Sequence, residues 1–151
     1  MSKINRVDEL AKQLGRVLLK YKLYCAVAES CTGGGLAAAI TNIAGSSQWF
    51  DRGFVTYTNK AKEEMLGVSD SVISTQGAVS EATVCAMAQG AIRYSNADVT
   101  VAITGIAGPN GGSVEKPVGT VWIAWASHSQ PTRAQCYLFK GDRTEIGRAS
   151  C

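Results

Sequence analysis

One short stretch decides the fold of this chain: Ala28-Glu29-Ser30-Cys31-Thr32-Gly33-Gly34-Gly35. An apolar run precedes it and small residues at helical spacing follow it, so the sequence predicts a strand, a tight turn and a helix start. Glycine adopts positive φ at little cost and lets a ligand approach the backbone. The first amides of the following helix lack intrahelical partners and lie at the positive end of its dipole. The turn therefore favours an anion.

Two functions are compatible with this turn. Its amides could cradle a phosphate, or Ser30 could act as a nucleophile whose oxyanion those amides hold. A third interpretation is a glycine-rich turn in which Ser30 merely caps the helix. Cys31, one residue further on, is a weaker candidate nucleophile. Spacing alone does not choose among these alternatives, because a short glycine run is weak evidence.

Composition narrows the class of protein. The 151 residues, 46% of them hydrophobic, suit one domain with a packed core. The net charge of +3 is scattered without a basic run, which argues against nucleic-acid binding. No apolar stretch approaches the roughly 20 residues that span a bilayer, and the N-terminus has no signal-like apolar segment. Five cysteines without a C-x-x-C pair favour a reduced, cytoplasmic protein.

The chain has a single histidine, His128, which lies at the tip of a predicted hairpin. One histidine argues against a His-rich metal site and against a Ser-His-Asp triad. A hydrolase built from this sequence therefore needs another base. Lysine can serve when burial or nearby positive charge lowers its pKa, and tyrosine can relay a proton.

Helical and strand patterns alternate along the chain, which predicts an α/β domain. We predict helices over 7–20, 33–42, 60–66, 81–94 and from 142 onward, a short turn or helix over 70–75, and strands over 24–28, 53–58, 99–103, 118–126 and 133–139. Asn59 and Ser80 are the expected caps, and Asp142 with Glu145 forms a capping box that opens the last helix. Trp49 and Phe50 are expected to anchor in the core. The fold prediction is a single three-layer α/β/α domain over residues 1–151, with a mixed, mostly parallel five-stranded sheet and a final helix that is cut short.

The candidate functional residues lie where strands end, and ligands of open α/β sheets bind at the carboxyl ends of the strands. Ser30 and the long loop from Thr104 follow two of the strands, and Tyr57 lies at the end of a third. Lys62 precedes Met65 and Leu66 by three and four residues, so helical geometry places it on the inward face. Lys60, two residues away, should face solvent. The alternative is that each lysine is solvated and Tyr57 is an ordinary packed aromatic.

Seven segments in order resemble the CinA C-terminal domain family, the nicotinamide-nucleotide amidases. They are Ala28-Glu29-Ser30-Cys31-Thr32-Gly33-Gly34, Gly53-Phe54-Val55-Thr56-Tyr57-Thr58-Asn59, Gly77-Ala78-Val79-Ser80, Thr104-Gly105-Ile106-Ala107-Gly108-Pro109, Gly111-Gly112-Ser113, Glu115-Lys116-Pro117-Val118-Gly119-Thr120-Val121 and Gly141-Asp142-Arg143. Each segment is modest alone, but the ordered set is highly specific and covers nearly the whole chain.

The resemblance implies hydrolysis of the carboxamide of nicotinamide mononucleotide to nicotinic acid mononucleotide and ammonia. It implies Ser30 as nucleophile, with Tyr57 and Lys62 completing the catalytic set. We expect substrate contacts from two turns and the last helix: Thr32, Gly33, Gly34, Thr104, Gly105, Gly108 and Arg143. We expect no metal and no cofactor, a small mononucleotide as partner, no nucleic acid or membrane, and a cytoplasmic homo-oligomer. The alternative is a non-catalytic nucleotide-binding module of the CinA type.

Overall fold

Helices and strands alternate in the computed structural model, which describes residues 3–151, with side chains from residue 6 onward. In chain order the elements are α1 Lys3–Tyr21, β1 Cys25–Glu29, α2 Gly35–Thr41, β2 Phe50–Val55, α3 Asn59–Leu66, α4 Asp70–Gln76, α5 Glu81–Arg93, β3 Val99–Gly105, β4 Thr120–Ser127, β5 Arg133–Leu138 and α6 Arg143–Ser150, with a 3-10 turn over Ser46–Gln48. No helix within this described part is long and apolar enough to cross a membrane.

The five strands form one sheet in the order β2-β1-β3-β4-β5. β1 pairs in parallel with both β2 and β3, whereas β4 is antiparallel to β3 and to β5. Four strands therefore share one direction and β4 opposes them. This confirms the predicted mixed, mostly parallel sheet, and it brings the carboxyl ends of β1, β2 and β3 to one edge.

Each face of the sheet is covered by helices. On one face, alanines of three adjacent strands pack against α5, whose buried side chains are Val84, Met87, Ala88 and Ala91. On the other face, Leu18 of α1 and Ile40 of α2 pack on β1, and Ile146 of α6 packs on β3 and β4. The predicted three-layer α/β/α arrangement is confirmed.

Two glycines allow close helix packing. A Cβ on Gly90 of α5 would lie 2.1 Å from the carbonyl oxygen of Leu66, so α3 contacts the bare backbone of α5. A Cβ on Gly15 of α1 would lie 2.8 Å from the Trp49 ring. Trp49 is 2% exposed, and Phe50 packs partly buried against the same cluster. Their prediction as core anchors is confirmed.

Several predicted boundaries shift. β2 covers 50–55 rather than 53–58, so Tyr57 lies beyond the strand, and β3 extends through Thr104 and Gly105. α2 begins at Gly35 rather than Gly33, because Gly33 and Gly34 have φ of 58° and 97°. The predicted Asn59 cap of α3 is wrong. The Thr58 hydroxyl is the cap and accepts from the Ala61 amide at 3.0 Å.

The remaining caps agree with the sequence. Ser80 accepts from the Thr83 amide at the start of α5, and Asp142 accepts from the Glu145 amide at the start of α6. The segment predicted as a turn or helix over 70–75 is the helix α4, capped by Ser69. The length of the last helix stays a prediction.

Candidate active site

The residues that follow β1 and β2 are tied together at the shared sheet edge. The Ser30 amide donates to the Ile103 carbonyl of β3 at 3.0 Å, and the Thr56 amide donates to the Glu29 carbonyl at 2.8 Å. These bonds continue the parallel ladders by one residue beyond the regular strands. The backbone on both sides of the Ser30 side chain is thereby fixed, and Ser30 itself is 7% exposed.

Lys62 reaches this edge from α3. Its side chain is buried, with the residue 1% exposed, and its amine donates to Ser30 Oγ at 3.0 Å. The same amine donates to the carbonyl oxygens of Thr56 at 2.8 Å and Tyr57 at 3.3 Å. Lys60, by contrast, has a 74% exposed side chain beside Glu63 and Glu64. The predicted inward direction of Lys62 and outward direction of Lys60 are both confirmed.

Burial shifts the Lys62 amine toward its neutral form. Burial lowers the pKa of Lys62 below its ordinary 10.5, and the nearby Cys31 sulfur opposes this shift. No carboxylate forms an ion pair with Lys62 among the side chains of residues 6–151. A neutral amine has two hydrogens, which the Thr56 and Tyr57 carbonyls can accept. Its lone pair is then left facing Ser30 Oγ, as a general base requires.

Cys31 lies next to Ser30, and burial shifts the pKa of its thiol in the opposite direction from that of the Lys62 amine. Burial, reinforced by the Glu29 charge and opposed by Lys62 and Arg143, raises the pKa of the Cys31 thiol to about 11. A thiol, rather than a thiolate, therefore predominates at neutral pH, which disfavours Cys31 as a nucleophile. Gly105 of β3 leaves room for this sulfur, since a Cβ there would lie 3.0 Å from it.

Tyr57, Gly108 and Arg143 are brought together from three segments. The Arg143 guanidinium donates to the Tyr57 hydroxyl, and its other terminal nitrogen donates to the Gly108 carbonyl at 2.8 Å. Tyr57 is 56% exposed. Its hydroxyl thus bonds to Arg143, whereas its backbone carbonyl bonds to Lys62. Among the described residues, no hydrogen bond joins the Tyr57 hydroxyl to Ser30 or Lys62.

Some of the other predicted contact residues have free space beside them, and others already form hydrogen bonds within the fold. Gly33 is open, because a Cβ there would have no neighbour within 4 Å. The Thr104 hydroxyl is buried and donates to the Ala78 carbonyl at 2.9 Å, which ties β3 to the segment before α5. The Thr32 hydroxyl donates to Glu29 at 2.6 Å. Thr32 and Thr104 therefore use their hydroxyls within the fold.

Sequence reasoning missed Glu29, a fully buried carboxylate next to Ser30. It accepts from the Leu36 amide at 2.8 Å and the Ala37 amide at 3.0 Å. These helix amides were expected to face an external anion, but Glu29 occupies them. The available signal was an acidic residue at the end of an otherwise apolar buried strand. Between residues 30 and 35, the amides of Cys31, Thr32 and Gly34 have no acceptor in the described part of the chain.

A cavity of about 770 Å³ adjoins the turn between α1, α2 and α6. Cys31, Thr32 and Arg143 line its side nearest the site, and Arg6 and Arg148 line it further away. Ser30 and Lys62 are not part of its wall. The cavity is therefore a neighbouring space that Arg143 connects to the Tyr57 side of the site.

Known proteins resemble this chain in sequence and in fold. A family model described as the CinA C-terminal domain matches residues 7–151. The chain is 52% identical over 141 residues to the nicotinamide-nucleotide amidohydrolase PncC of Enterobacter agglomerans, covering 93% of this chain and 86% of that one. It is 51% identical over 142 residues to the PncC of Escherichia coli strain K12, covering 93% and 85%. The crystal structure of the competence/damage inducible protein CihA from Agrobacterium tumefaciens superposes with a TM-score of 0.91 at 48% identity, covering 95% and 87%.

Proposed function

This chain belongs to the CinA C-terminal domain family, and on that premise we propose that Ser30 and Lys62 hydrolyse the carboxamide of a nicotinamide nucleotide. The chain is a hydrolase of carboxamide C–N bonds, in keeping with the relatives that are named nicotinamide-nucleotide amidohydrolase. Its reaction converts nicotinamide mononucleotide to nicotinic acid mononucleotide and ammonia, a step of NAD salvage. The roles of individual residues in that reaction are our proposal.

The single observation that supports these roles is the amine of Lys62, buried and 3.0 Å from Ser30 Oγ. In the proposed first step, neutral Lys62 takes the Ser30 proton and Oγ attacks the carboxamide carbon. The tetrahedral intermediate places negative charge on the former carbonyl oxygen. The amide of Cys31, with those of Thr32 and Gly34, is free to donate to that oxygen.

The second half of the reaction returns every group to its starting state. Protonated Lys62 gives its proton to the leaving nitrogen, the C–N bond breaks and ammonia departs. Lys62, neutral again, takes a proton from water, and the resulting hydroxide attacks the acyl carbon. The Oγ–C bond then breaks, Ser30 regains the proton, and the acid product leaves. The reacting groups need no metal or cofactor in this scheme.

We assign the substrate's phosphate to the Arg143 side of the site. Arg143 lines the cavity beside the turn and carries a charge opposite to that of a phosphate. Its guanidinium already donates to Tyr57 and Gly108, so its position is fixed before substrate arrives. Tyr57 contributes a backbone carbonyl to Lys62 and a hydroxyl to Arg143, which links the base to the proposed phosphate contact. The expected homo-oligomer remains a prediction that light scattering tests.

The decisive experiment incubates the purified chain with nicotinamide mononucleotide and measures ammonia together with the acid product by mass spectrometry. We expect stoichiometric release of both, and loss of that release in Ser30→Ala. Ser46→Ala is the matched control, because Ser46 is also buried but lies in the 3-10 turn, away from Lys62. Binding of the nucleotide without ammonia release would instead favour the non-catalytic nucleotide-binding module.

A further inference from the structure

Glu29 is the one acidic side chain that the described fold buries completely, at 0% exposure. It ends β1 and immediately precedes Ser30. A carboxylate taken out of water loses several kcal/mol of solvation unless hydrogen bonds replace that water. No lysine or arginine forms an ion pair with it among the side chains of residues 6–151. Its compensation therefore has to come from hydrogen bonds.

Three donors supply that compensation. The Thr32 hydroxyl and the Leu36 amide both donate to Glu29 Oε1, at 2.6 and 2.8 Å, and the Ala37 amide donates to Oε2 at 3.0 Å. Two of these donors are first-turn amides of α2, which no helical carbonyl can satisfy. Gly34, the residue at the N-cap position of α2, has no side chain that could accept from these amides. Glu29 caps α2 from the end of the preceding strand.

This arrangement fixes both ends of the turn that carries Ser30. The strand end is held by the bond between the Ser30 amide and the Ile103 carbonyl, and the helix end is held by the Glu29 carboxylate. Inside the turn, the Gly33 amide donates to the Ser30 carbonyl at 3.0 Å and the Gly35 amide to the Thr32 carbonyl at 2.9 Å. Within residues 3–151, the amides of Cys31, Thr32 and Gly34 are left without acceptors.

We propose that Glu29 is a positioning residue for the amidase reaction: its carboxylate holds the 30–35 turn so that Ser30 Oγ faces Lys62 and the free turn amides face the developing oxyanion. This proposal rests on the proposed function of Ser30 and Lys62. Both oxygens of Glu29 are engaged with Thr32 and α2. It acts on the reaction only through the turn.

The sharpest variant is Glu29→Gln, which keeps the shape of the side chain. Its amide group has one acceptor oxygen and one NH₂ donor, so an NH₂ must face either the Ala37 amide or the Leu36 amide. The turn then loses one of its attachments. We expect kcat to fall by about 10- to 100-fold, because small misplacements of reacting groups cost that much, while KM stays within about twofold.

Two further readouts separate positioning from a general loss of stability. An organophosphorus fluoridate forms a bond from Ser30 Oγ to phosphorus with loss of fluoride, and mass spectrometry follows that labelling. We expect labelling of the folded Glu29→Gln protein to slow in parallel with kcat. We expect the pH profile of kcat to keep its wild-type midpoint, since the base is still Lys62. A shifted midpoint with full activity recovered at high pH would contradict the proposal.

Thr100→Val is the matched control. It also removes a buried hydrogen bond, from Thr100 to the Ala88 carbonyl at 2.8 Å, but on the opposite face of the sheet. At an equal drop in melting temperature, Thr100→Val should keep both kcat and the labelling rate. A Glu29→Gln protein that behaves like Thr100→Val, or that keeps kcat and labelling within twofold of wild type, would overturn the positioning role.

Failure of the proposed function is separately visible. Ammonia release by the wild-type chain tests the function, whereas the ratio of labelling rates tests Glu29 whichever amide is the substrate. If Glu29→Gln does not fold, Thr32→Val removes only the hydroxyl donor and leaves both helix amides bonded to the carboxylate. We expect this variant to label about 2- to 10-fold more slowly, which is the typical net contribution of one hydrogen bond. Unchanged labelling in Thr32→Val would reject the proposal.

Discussion

Lys62 is a buried lysine whose amine is surrounded by three oxygens, and this predicts how the rate depends on pH. Only the neutral amine can take the Ser30 proton, and burial lowers the pKa of Lys62 below 10.5. We therefore expect kcat/KM to rise with pH as the amine loses its proton and to level off before pH 10.5. Lys62→Met should lower kcat by about 10²- to 10⁴-fold, the usual contribution of a general base.

Lys60→Met is the control for that loss, because it removes a lysine from the same helix. Lys60 is exposed, and among the side chains of residues 6–151 it pairs only with Glu63 and Glu64, at 3.9 and 3.8 Å. Its removal should change kcat by less than twofold. Steady-state ammonia assays on both variants between pH 6 and 10 make the comparison. A large loss in Lys60→Met with a small one in Lys62→Met would refute the assignment of the base.

Arg143 gives a prediction about substrate selection. If its guanidinium contacts the phosphate, Arg143→Met should lower kcat/KM by about tenfold or more on nicotinamide mononucleotide, the worth of one charge-assisted hydrogen bond. The same variant should change kcat/KM little on nicotinamide riboside, which lacks the phosphate. Arg93→Met, an exposed change in the last turn of α5 and away from this cavity, is the control. Equal losses on both substrates would instead mean that Arg143 acts through Tyr57.

At the residue scale, some features of the site were predictable from the sequence and others were not. Helical spacing alone predicted that Lys62 faces inward, because a period of 3.6 residues fixes directions locally. The role of Glu29 escaped prediction because an acidic residue after an apolar strand shows only its position, whereas its partners, two backbone amides and a hydroxyl, leave no pattern of residue types. The bond between Tyr57 and Arg143 joins positions 86 residues apart, and only the packing of α6 brings them together.

At the scale of elements, the order and type of helices and strands were predictable, but several ends were not. Thr58 and Asn59 are both good capping residues. Which of them caps α3 depends on where β2 ends and where the helix begins. β2 starts three residues earlier than predicted because Phe50 and Arg52 pair with Cys25 and Ala26 of β1. Side chains of the same segment also bond to the chain after α5. Asp51 accepts from the Asn96 amide at 3.0 Å, and Arg52 donates to the Tyr94 carbonyl at 3.1 Å. Such pairings between distant segments are invisible to local patterns.

The contact between α3 and α5 predicts a sharp difference between two glycine substitutions. In Gly90→Ala the new Cβ would lie 2.1 Å from the Leu66 carbonyl oxygen, so α3 must move and carry Lys62 with it. We expect a loss of about 1–3 kcal/mol, typical of overpacking, together with a fall in kcat. Thermal melts and ammonia assays measure the two effects.

Gly147→Ala is the control, since it is also a glycine-to-alanine change inside a helix. A Cβ on Gly147 of α6 would have no neighbour within 4 Å. Alanine should therefore stabilise the protein by about 0.4–1 kcal/mol through its effect on the unfolded chain. If Gly90→Ala melts at the wild-type temperature with full activity, the close contact between α3 and α5 does not position Lys62.

At the scale of the whole molecule, the distribution of metal-binding side chains predicts the response to chelation. Among residues 6–151, no three His, Cys, Asp or Glu side chains are grouped so that they could hold a metal ion. The proposed steps use only Ser30, Lys62 and turn amides. Ammonia release should therefore survive prolonged treatment with EDTA. A reproducible loss that a single divalent metal restores would require a different mechanism.

The free energy of unfolding, a property of the whole chain, should also depend on pH through the buried amine of Lys62. In the folded state the pKa of Lys62 lies below 10.5, whereas in the unfolded chain it returns to about its ordinary value. Below the folded pKa the amine is charged in both states. The free energy of unfolding is then lowered by the full penalty of burying that charge. Between the folded pKa and 10.5 the unfolded chain binds the proton that the folded chain has lost. The free energy of unfolding therefore rises with pH across this window.

Lys62→Met isolates this effect, because methionine fills a similar space without a titrating group. Burial also raises the pKa values of Cys25, Cys85 and Cys151, but these thiols are present in both proteins and their contribution largely cancels in the difference. Cys31 interacts with Lys62, so both proteins carry Cys31→Ala. Denaturant unfolding of both proteins from pH 7 to pH 10 should show the protein that keeps Lys62 gaining stability relative to Lys62→Met as pH increases. A difference that stays constant over this range would mean that Lys62 is not held in an environment that disfavours its charge. The proposed base would then lack the property that allows it to act near neutral pH.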